Sequence, residues 1–224
     1  MIARHEFKHD INFGEYKVLR SRLRALLPHD ENVNVQGEYH IRSLYFDTPT
    51  DRALREKIDG VDHRTKFRIR FYNGDASFMR LEKKSKHHGM CYKDSVALTP
   101  EDAQRIVNGD IAFLKARGEP LLMEFYSEMT GSLLRPCTIV DYIREPFCYG
   151  PGNVRITLDR DIRTGLGATD FLSMQVPMLP AGDTAYLLEV KYDAFLPQMI
   201  ADVLQLGDRR ASAFSKYAVC RMYG

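Results

Sequence analysis

Cysteine is scarce in this 224-residue chain: Cys91, Cys137, Cys148 and Cys220 are widely spaced, with no C-x-x-C pair and no histidine at ligand spacing. Neither a zinc site nor a disulfide framework is signalled, and the four read as reduced, half-buried thiols. A surplus of one charge is also missing. Lys and Arg number 32 against 30 Asp and Glu, so the net charge of +2 lacks the basic excess of a protein that coats nucleic acid, and any anion site must arise from local sorting of charge. No apolar run approaches the roughly 18 to 20 residues of a membrane-spanning helix. Met1 to His5 has no apolar signal core behind it, so the chain reads as cytoplasmic, without direct membrane insertion. There is no fixed-period repeat and no Ser/Gly/Pro-rich linker, which leaves one domain over 1–224. With 44% hydrophobic and 28% charged residues, that domain can build a sizeable core and is not disordered.

What is present is a series of short alternating segments interleaved with amphipathic ones. A brief alternating stretch at Arg4 to Lys8 precedes Asp10, expected to cap a helix from about Phe13 to Leu27. Tyr16, Leu19, Leu23 and Leu26 share one face of that helix, and Arg20, Arg22 and Arg24 lie off the stripe as an exposed basic flank. Strands are expected at Glu38 to Asp47, Arg64 to Tyr72, Ser77 to Lys86 and Cys91 to Leu98, the last three an antiparallel meander turned at Asn73-Gly74 and His87-His88-Gly89. Thr99-Pro100-Glu101-Asp102 starts a helix, and another covers Pro120 to Met129. Three more strands follow near Pro136 to Pro146, Val154 to Arg160 and Ala185 to Tyr192, then helices near Gln198 to Leu206 and Ser212 to Met222. Pro177 to Asp183 reads as a mobile surface stretch, and Met174, Met178 and Met199 read as packing residues.

The informative feature is the face that carries charge. Successive side chains point to opposite faces of a strand, so Lys66, Arg68 and Arg70 share one face and Phe67, Ile69 and Phe71 the other. Arg80, Glu82, Lys84 and Lys86 alternate with Met79 and Leu81 in the same way, with Lys83 an exception on the apolar side. The pattern recurs in Glu6 and Lys8, in Arg155, Thr157 and Asp159, and in Glu189 and Lys191. A merely solvated face mixes neutral polar residues with both charges, whereas here cations dominate and carboxylates sit singly among them. Such a face is expected of a sheet that binds a polyanion. If the sheet closes, the cations line a tunnel of low dielectric and the apolar faces turn outward under the helices.

These residues resemble a family, the VTC or polyphosphate polymerase domain of the triphosphate tunnel metalloenzymes. The resemblance rests on Glu6-Phe7-Lys8, Ser43 to Pro49, Lys66 to Arg70, Leu81 to Lys84, Tyr142 to Phe147, Arg155 to Asp159, Leu188 to Lys191 and Phe214 to Tyr217, in order along nearly the whole chain. It implies an α+β fold built on a closed barrel of eight antiparallel strands with flanking helices. It further implies a polymerase that transfers the γ-phosphate of ATP to polyphosphate with the help of Mn²⁺ or Mg²⁺. Lys8, Arg68, Arg70, Lys84 and Lys93 would act on the transferred phosphate. Lys66, Lys86, Arg144, Arg155, Lys191, Ser215 and Lys216 would bind the phosphates, and Glu189, Glu82 and Glu6 would hold the metal. Phosphoryl transfer needs in-line positioning and neutralisation of charge more than a protein nucleophile, which fits this residue set.

One departure separates branches of that superfamily: the usual E-x-E-x-K opening has Arg4 at its first position here, which favours the polymerase branch. The sensing domain and membrane segment of some relatives are absent from this sequence, so regulation and any coupling to transport are expected either to come from another chain, such as a membrane-protein partner, or not to exist. A hydrolase of inorganic or nucleoside triphosphate and a non-catalytic polyphosphate-binding module are the alternatives. Nucleic acid is disfavoured, since the cations alternate with apolar residues along strands instead of lying with stacking aromatics in an open groove. His87-His88 reads as a turn, Asp47 as a strand-end cap, and Tyr45 and Tyr142 as core aromatics.

Overall fold

The computed structural model describes residues 4–183, 186–205 and 212–222. In chain order its elements are β1 (His5–Ile11), α1 (Phe13–Leu26), β2 (Tyr39–Asp47), α2 (Arg52–Ile58), β3 (Arg64–Tyr72), β4 (Asp75–His87) and β5 (Met90–Leu98). They continue with α3 (Pro100–Val107), α4 (Ala112–Arg117), α5 (Pro120–Gly131), β6 (Arg135–Tyr149), β7 (Val154–Thr164), β8 (Leu179–Pro180), β9 (Tyr186–Tyr192), α6 (Gln198–Val203) and α7 (Lys216–Met222). All eight expected strands are present, and the two-residue β8 is an addition. The expected ends at Ala185 and Leu206 lie outside the described residues.

The eight long strands form one antiparallel sheet in the order β1-β9-β7-β6-β2-β3-β4-β5, with β8 pairing to β7. The sheet curls but does not close fully, which corrects the expected closed barrel. Among the described residues its edges meet at a single bridge, Arg4 with Cys91, where the amide nitrogen of Arg4 lies 3.4 Å from the carbonyl of Cys91. The reason is strand length. From that bridge onward β1 advances past Met90, the first residue of β5, into the His88-Gly89 turn, so it runs out of partner backbone.

The inside-out patterning holds in register. On the outer face Phe7 pairs with Val190, Val190 with Ile156 and Ile156 with Phe147, a row of apolar residues crossing four strands. Val190, Ile156 and Phe147 of that row pack under α1 and α6, where Tyr16, Leu19, Leu23 and Ile200 are buried, while Phe7 at its end is exposed. The other half of the outer face, including Phe67, Ile69 and Leu81, lies under α3 to α5 through Ile106, Leu114, Leu122 and Phe125. Lys83, the exception in the pattern, does point outward and pairs with Glu124 on α5, its Nζ donating to Oε2 at 2.7 Å.

Local details differ from the sequence reading in instructive ways. The cap of α1 is Asn12, not Asp10: Asn12 Oδ1 accepts from Glu15 N and Glu15 Oε2 accepts from Asn12 N, while Asp10 belongs to β1. Arg20 and Arg24 are not a solvated flank, since both donate at 2.6 Å to Glu145, a carboxylate only 2% exposed. Pro177 to Asp183 is tied to the sheet through β8, with Ala181 and the preceding Phe171 buried. Of the three methionines, Met178 packs against the core, but Met174 and Met199 are exposed. Among the described residues no helix is long and apolar enough to cross a membrane.

Candidate active site

The concave face of the sheet encloses a cavity of about 500 Å³. All fifteen residues singled out from the sequence line it, contributed by β1, β3 to β7, β9 and the segment entering α7. Alternation explains how. Lys8 stands opposite Glu189, Glu6 opposite Lys191, Lys191 opposite Arg155, Arg68 opposite Glu82 and Lys84 opposite both Lys66 and Lys93, so polar residues of neighbouring strands meet across the inner face. The helix α7 closes part of this face: Lys216 pairs with Asp159 at 2.5 Å and sits over the Tyr142 ring, and Tyr217 stacks on Tyr45.

The charges sort into two walls. On the β1–β9–β7 wall, Glu6 lies 3.1 Å from Lys8 and 2.7 Å from Lys84, while Glu189 lies 2.5 Å from Lys191, 3.7 Å from Lys8 and 3.9 Å from Arg144. Burial alone would raise the Glu189 carboxyl, yet Lys191, Lys8 and Arg144 hold it well below the usual carboxylate range. On the β3–β4–β5 wall, Glu82 is the single carboxylate among cations, 2.6 Å from Arg68 and 3.8 Å from Arg70, with Lys93 also paired to it. Arg144 makes a two-pronged contact with Asp159 at 2.6 and 2.7 Å, and Arg155 donates to Asp30 at 2.6 Å.

Lys66, Lys84 and Lys93 form a row of like charges directly opposite one another on three adjacent strands, an arrangement that destabilises a sheet unless something neutralises it. Lys84 has Glu6 and Lys93 has Glu82, but among the described residues no carboxylate pairs with Lys66. Its ammonium donates to Ser215 Oγ at 2.9 Å. Burial and the nearby Lys8, Lys84, Lys57 and Arg64 push its pKa down to about 7. Lys86 also lines the cavity, on the inner face of β4 near its end.

The carboxylates on the β1–β9–β7 wall have the chemistry of a divalent-metal site. Thr157 Oγ1 is buried without a hydrogen-bond partner, directly opposite Glu189 on β9, whose buried Oε1 has an ion contact with Lys191 at 2.5 Å but no hydrogen bond. Glu6 adds carboxylate oxygens of the kind hard divalent cations take, at present held by Lys84, Lys8 and Lys191, which a cation bound there would have to displace. Glu82 belongs to the opposite wall and is engaged by Arg68 and Lys93.

Several lining residues escaped the sequence reading. Tyr45 and Tyr142 are not plain core aromatics: Arg68 donates to Tyr45 Oη at 2.8 Å and Arg70 to Tyr142 Oη at 3.0 Å. Alternation from Ser43 would have turned Tyr45 inward, and Arg64, two residues before Lys66, follows by the same rule. Asp159 alternates with Leu158 on a charged face, but only the fold shows it fully buried between Arg144 and Lys216. Lys57, which reaches the cavity from α2, carries no sequence signal at all.

A curled antiparallel sheet with a cationic concave face and a helix seated across it defines the class of the triphosphate tunnel fold. Within that class the chain belongs to the VTC domain family, whose model matches residues 3–223. Solved structures with the same fold include a Bacillus halodurans protein provisionally described as an adenylate cyclase, at 15% identity and a TM-score of 0.51 over 90% of this chain and 87% of that one. The PH1012 protein of Pyrococcus horikoshii OT3 has 13% identity and a TM-score of 0.52, over 96% of this chain and 98% of its own. At such identities the likeness speaks to fold alone. No protein of curated function matches the sequence.

Proposed function

We propose that this chain is a polyphosphate polymerase that moves the γ-phosphate of ATP onto a polyphosphate chain held in the cationic cavity, with a divalent cation bound near Glu189 and Glu6. The observation that carries this reading is the row Lys66–Lys84–Lys93 facing into the cavity, in which Lys66 has no carboxylate partner among the described residues, so that an anion bound against the row relieves its repulsion. A divalent ion held there would supply Lewis-acid stabilisation of phosphate oxygens. The chain's own residues do the remainder. Arg68 and Arg70 are fixed by Glu82, Tyr45, Ser43 and Tyr142, so their guanidinium groups are preorganised donors that need not reorient as charge develops. Lys66, Lys84 and Lys93 neutralise the phosphate oxygens, and Ser215 and Lys216 bring contacts from α7. No protein nucleophile is required, because the terminal phosphate of the acceptor is itself an anion. Arg4, at the rim and paired with Asp193 at 2.8 Å, stands where a branch with paired opening carboxylates has its first metal ligand, and this missing carboxylate supports the polymerase reading.

A triphosphatase uses the same groups with water as acceptor. It is favoured by one feature, the mouth of the cavity at Lys93, whose side chain is 54% exposed and leaves water a route to the phosphates. Incubation with ATP, Mn²⁺ and a short polyphosphate primer, followed by phosphorus NMR, separates the readings. Growth of chain-internal phosphate signals with release of ADP is expected. Orthophosphate alone would move the assignment to the triphosphatase, and binding without turnover to a polyphosphate-binding module.

A further inference from the structure

A second group of metal-ligating side chains lies at the cavity rim, apart from the carboxylates of the inner face. Asp62 and His63 precede β3, and His88 is in the two-residue turn between β4 and β5. One ligand atom from each lies within 4.8 Å of the others. The nearest approaches are His88 Nδ1 to Asp62 Oδ2 at 3.3 Å and His63 Nε2 to the same oxygen at 3.7 Å.

The backbone builds this arrangement. His88 and Gly89 have φ of 48° and 77°, the positive values of a tight hairpin turn, which project the His88 ring toward the segment before β3. The Asp62 carboxylate then accepts the backbone N–H of His88 at 2.9 Å and of Gly89 at 3.3 Å, locking the two segments together. A fourth side chain supplies an independent constraint: His87 Nδ1 lies 2.6 Å from His63 Nδ1. With the proton on His63 Nδ1 donated to His87, the lone pair of His63 is on Nε2, the nitrogen that faces Asp62. Histidines that bind metal are oriented in this way, by a hydrogen bond from the other ring nitrogen.

We propose that Asp62, His63 and His88 form a binding site for a divalent transition-metal ion of the zinc class, with His87 as the positioning residue for His63. Two imidazoles and one carboxylate select such an ion over magnesium, which favours all-oxygen sets such as Glu6 and Glu189. Side chains at this surface turn have room to close the remaining distance to about 2.0–2.2 Å from a metal. The sequence gives no conventional zinc signature because the ligands are about 25 residues apart, on the segment before β3 and on the β4–β5 turn, and meet through the pairing of β3 with β4 that sets Arg64 opposite Lys86. Lys86 near the end of β4, Gly89 in the turn and Arg64 at the start of β3 line the cavity, so metal at this position staples the rim past which a polyanion enters.

The test uses the full chain freed of metal with a chelator, then titrated with Co²⁺ and with Zn²⁺. Cobalt is read by its visible absorption, and zinc by competition with a chromogenic chelator. One Zn²⁺ per chain is expected in the native protein and in Glu189→Gln, lost in His63→Ala and in His88→Ala, and weakened about tenfold in His87→Ala. Circular dichroism of each variant verifies that these exposed substitutions leave the fold intact. Zinc binding that survives both His63→Ala and His88→Ala, or its absence from the native chain, overturns the proposal.

Discussion

Lys66 shows how one residue couples the fold to its ligand. In the folded chain its ammonium is buried among like charges with a pKa of about 7, against 10.5 ordinarily, so between those values the unfolded chain binds more protons than the folded one. Stability contributed by this group therefore rises with pH across that window, and the full penalty is present below it. A bound polyanion reverses the sign by favouring the charged amine. Tripolyphosphate binding at pH 8 should take up a proton, and its affinity should fall as pH rises toward 9. Calorimetry in buffers of different ionisation enthalpy checks this, and Lys66→Met should abolish that share of the proton uptake. Glu189 acts on metal instead. Glu189→Gln should eliminate metal-dependent turnover, a loss of at least about a hundredfold, while tripolyphosphate binding measured by calorimetry persists. Unchanged turnover would remove Glu189 from that role.

At the scale of elements, α7 is the piece that converts an open curl into an enclosed site. It is anchored through Tyr217, whose Oη donates to Asp47 Oδ2 at 2.5 Å, and Asp47 in turn accepts from the backbone of Thr48, Ala53 and Leu54 at the start of α2. One carboxylate thus ties α2, which presents Lys57, to α7, which presents Lys216. Tyr217→Phe should cost about 2 kcal/mol in a denaturant titration, the worth of a hydrogen bond to a charged group. It should also weaken tripolyphosphate binding severalfold by loosening Ser215 and Lys216. The role of Asp47 as a strand-end cap was legible in the sequence. Its link to Tyr217, which stands 170 positions away, was not, because no local pattern encodes a contact across the sheet.

For the whole molecule the controlling quantity is self-repulsion of the inner face. The net charge is only +2, yet the cations are sorted onto one surface, so the cavity is far more positive than the chain average. Tripolyphosphate should therefore stabilise the folded state, by about 2.7 kcal/mol at a hundred times its dissociation constant, read as a rise in melting temperature that shrinks as salt is added. No rise at saturating ligand would count against the cavity as the anion site.

The sequence by itself determined the inverted patterning. Lys66, Arg68 and Arg70 share a face because side chains alternate along any strand, and the same rule places Glu6, Lys84, Arg155 and Glu189 inward once the strands pair. That is why every residue singled out from the sequence was found on one cavity. The tertiary structure alone decided what depends on distant segments meeting: the incomplete closure at Arg4 and Cys91, the burial of Asp159 between Arg144 and Lys216, and the link of Asp47 to Tyr217. Periodicity is a property of neighbours along the chain, whereas these contacts are set by the curl of the sheet and by where its strands end.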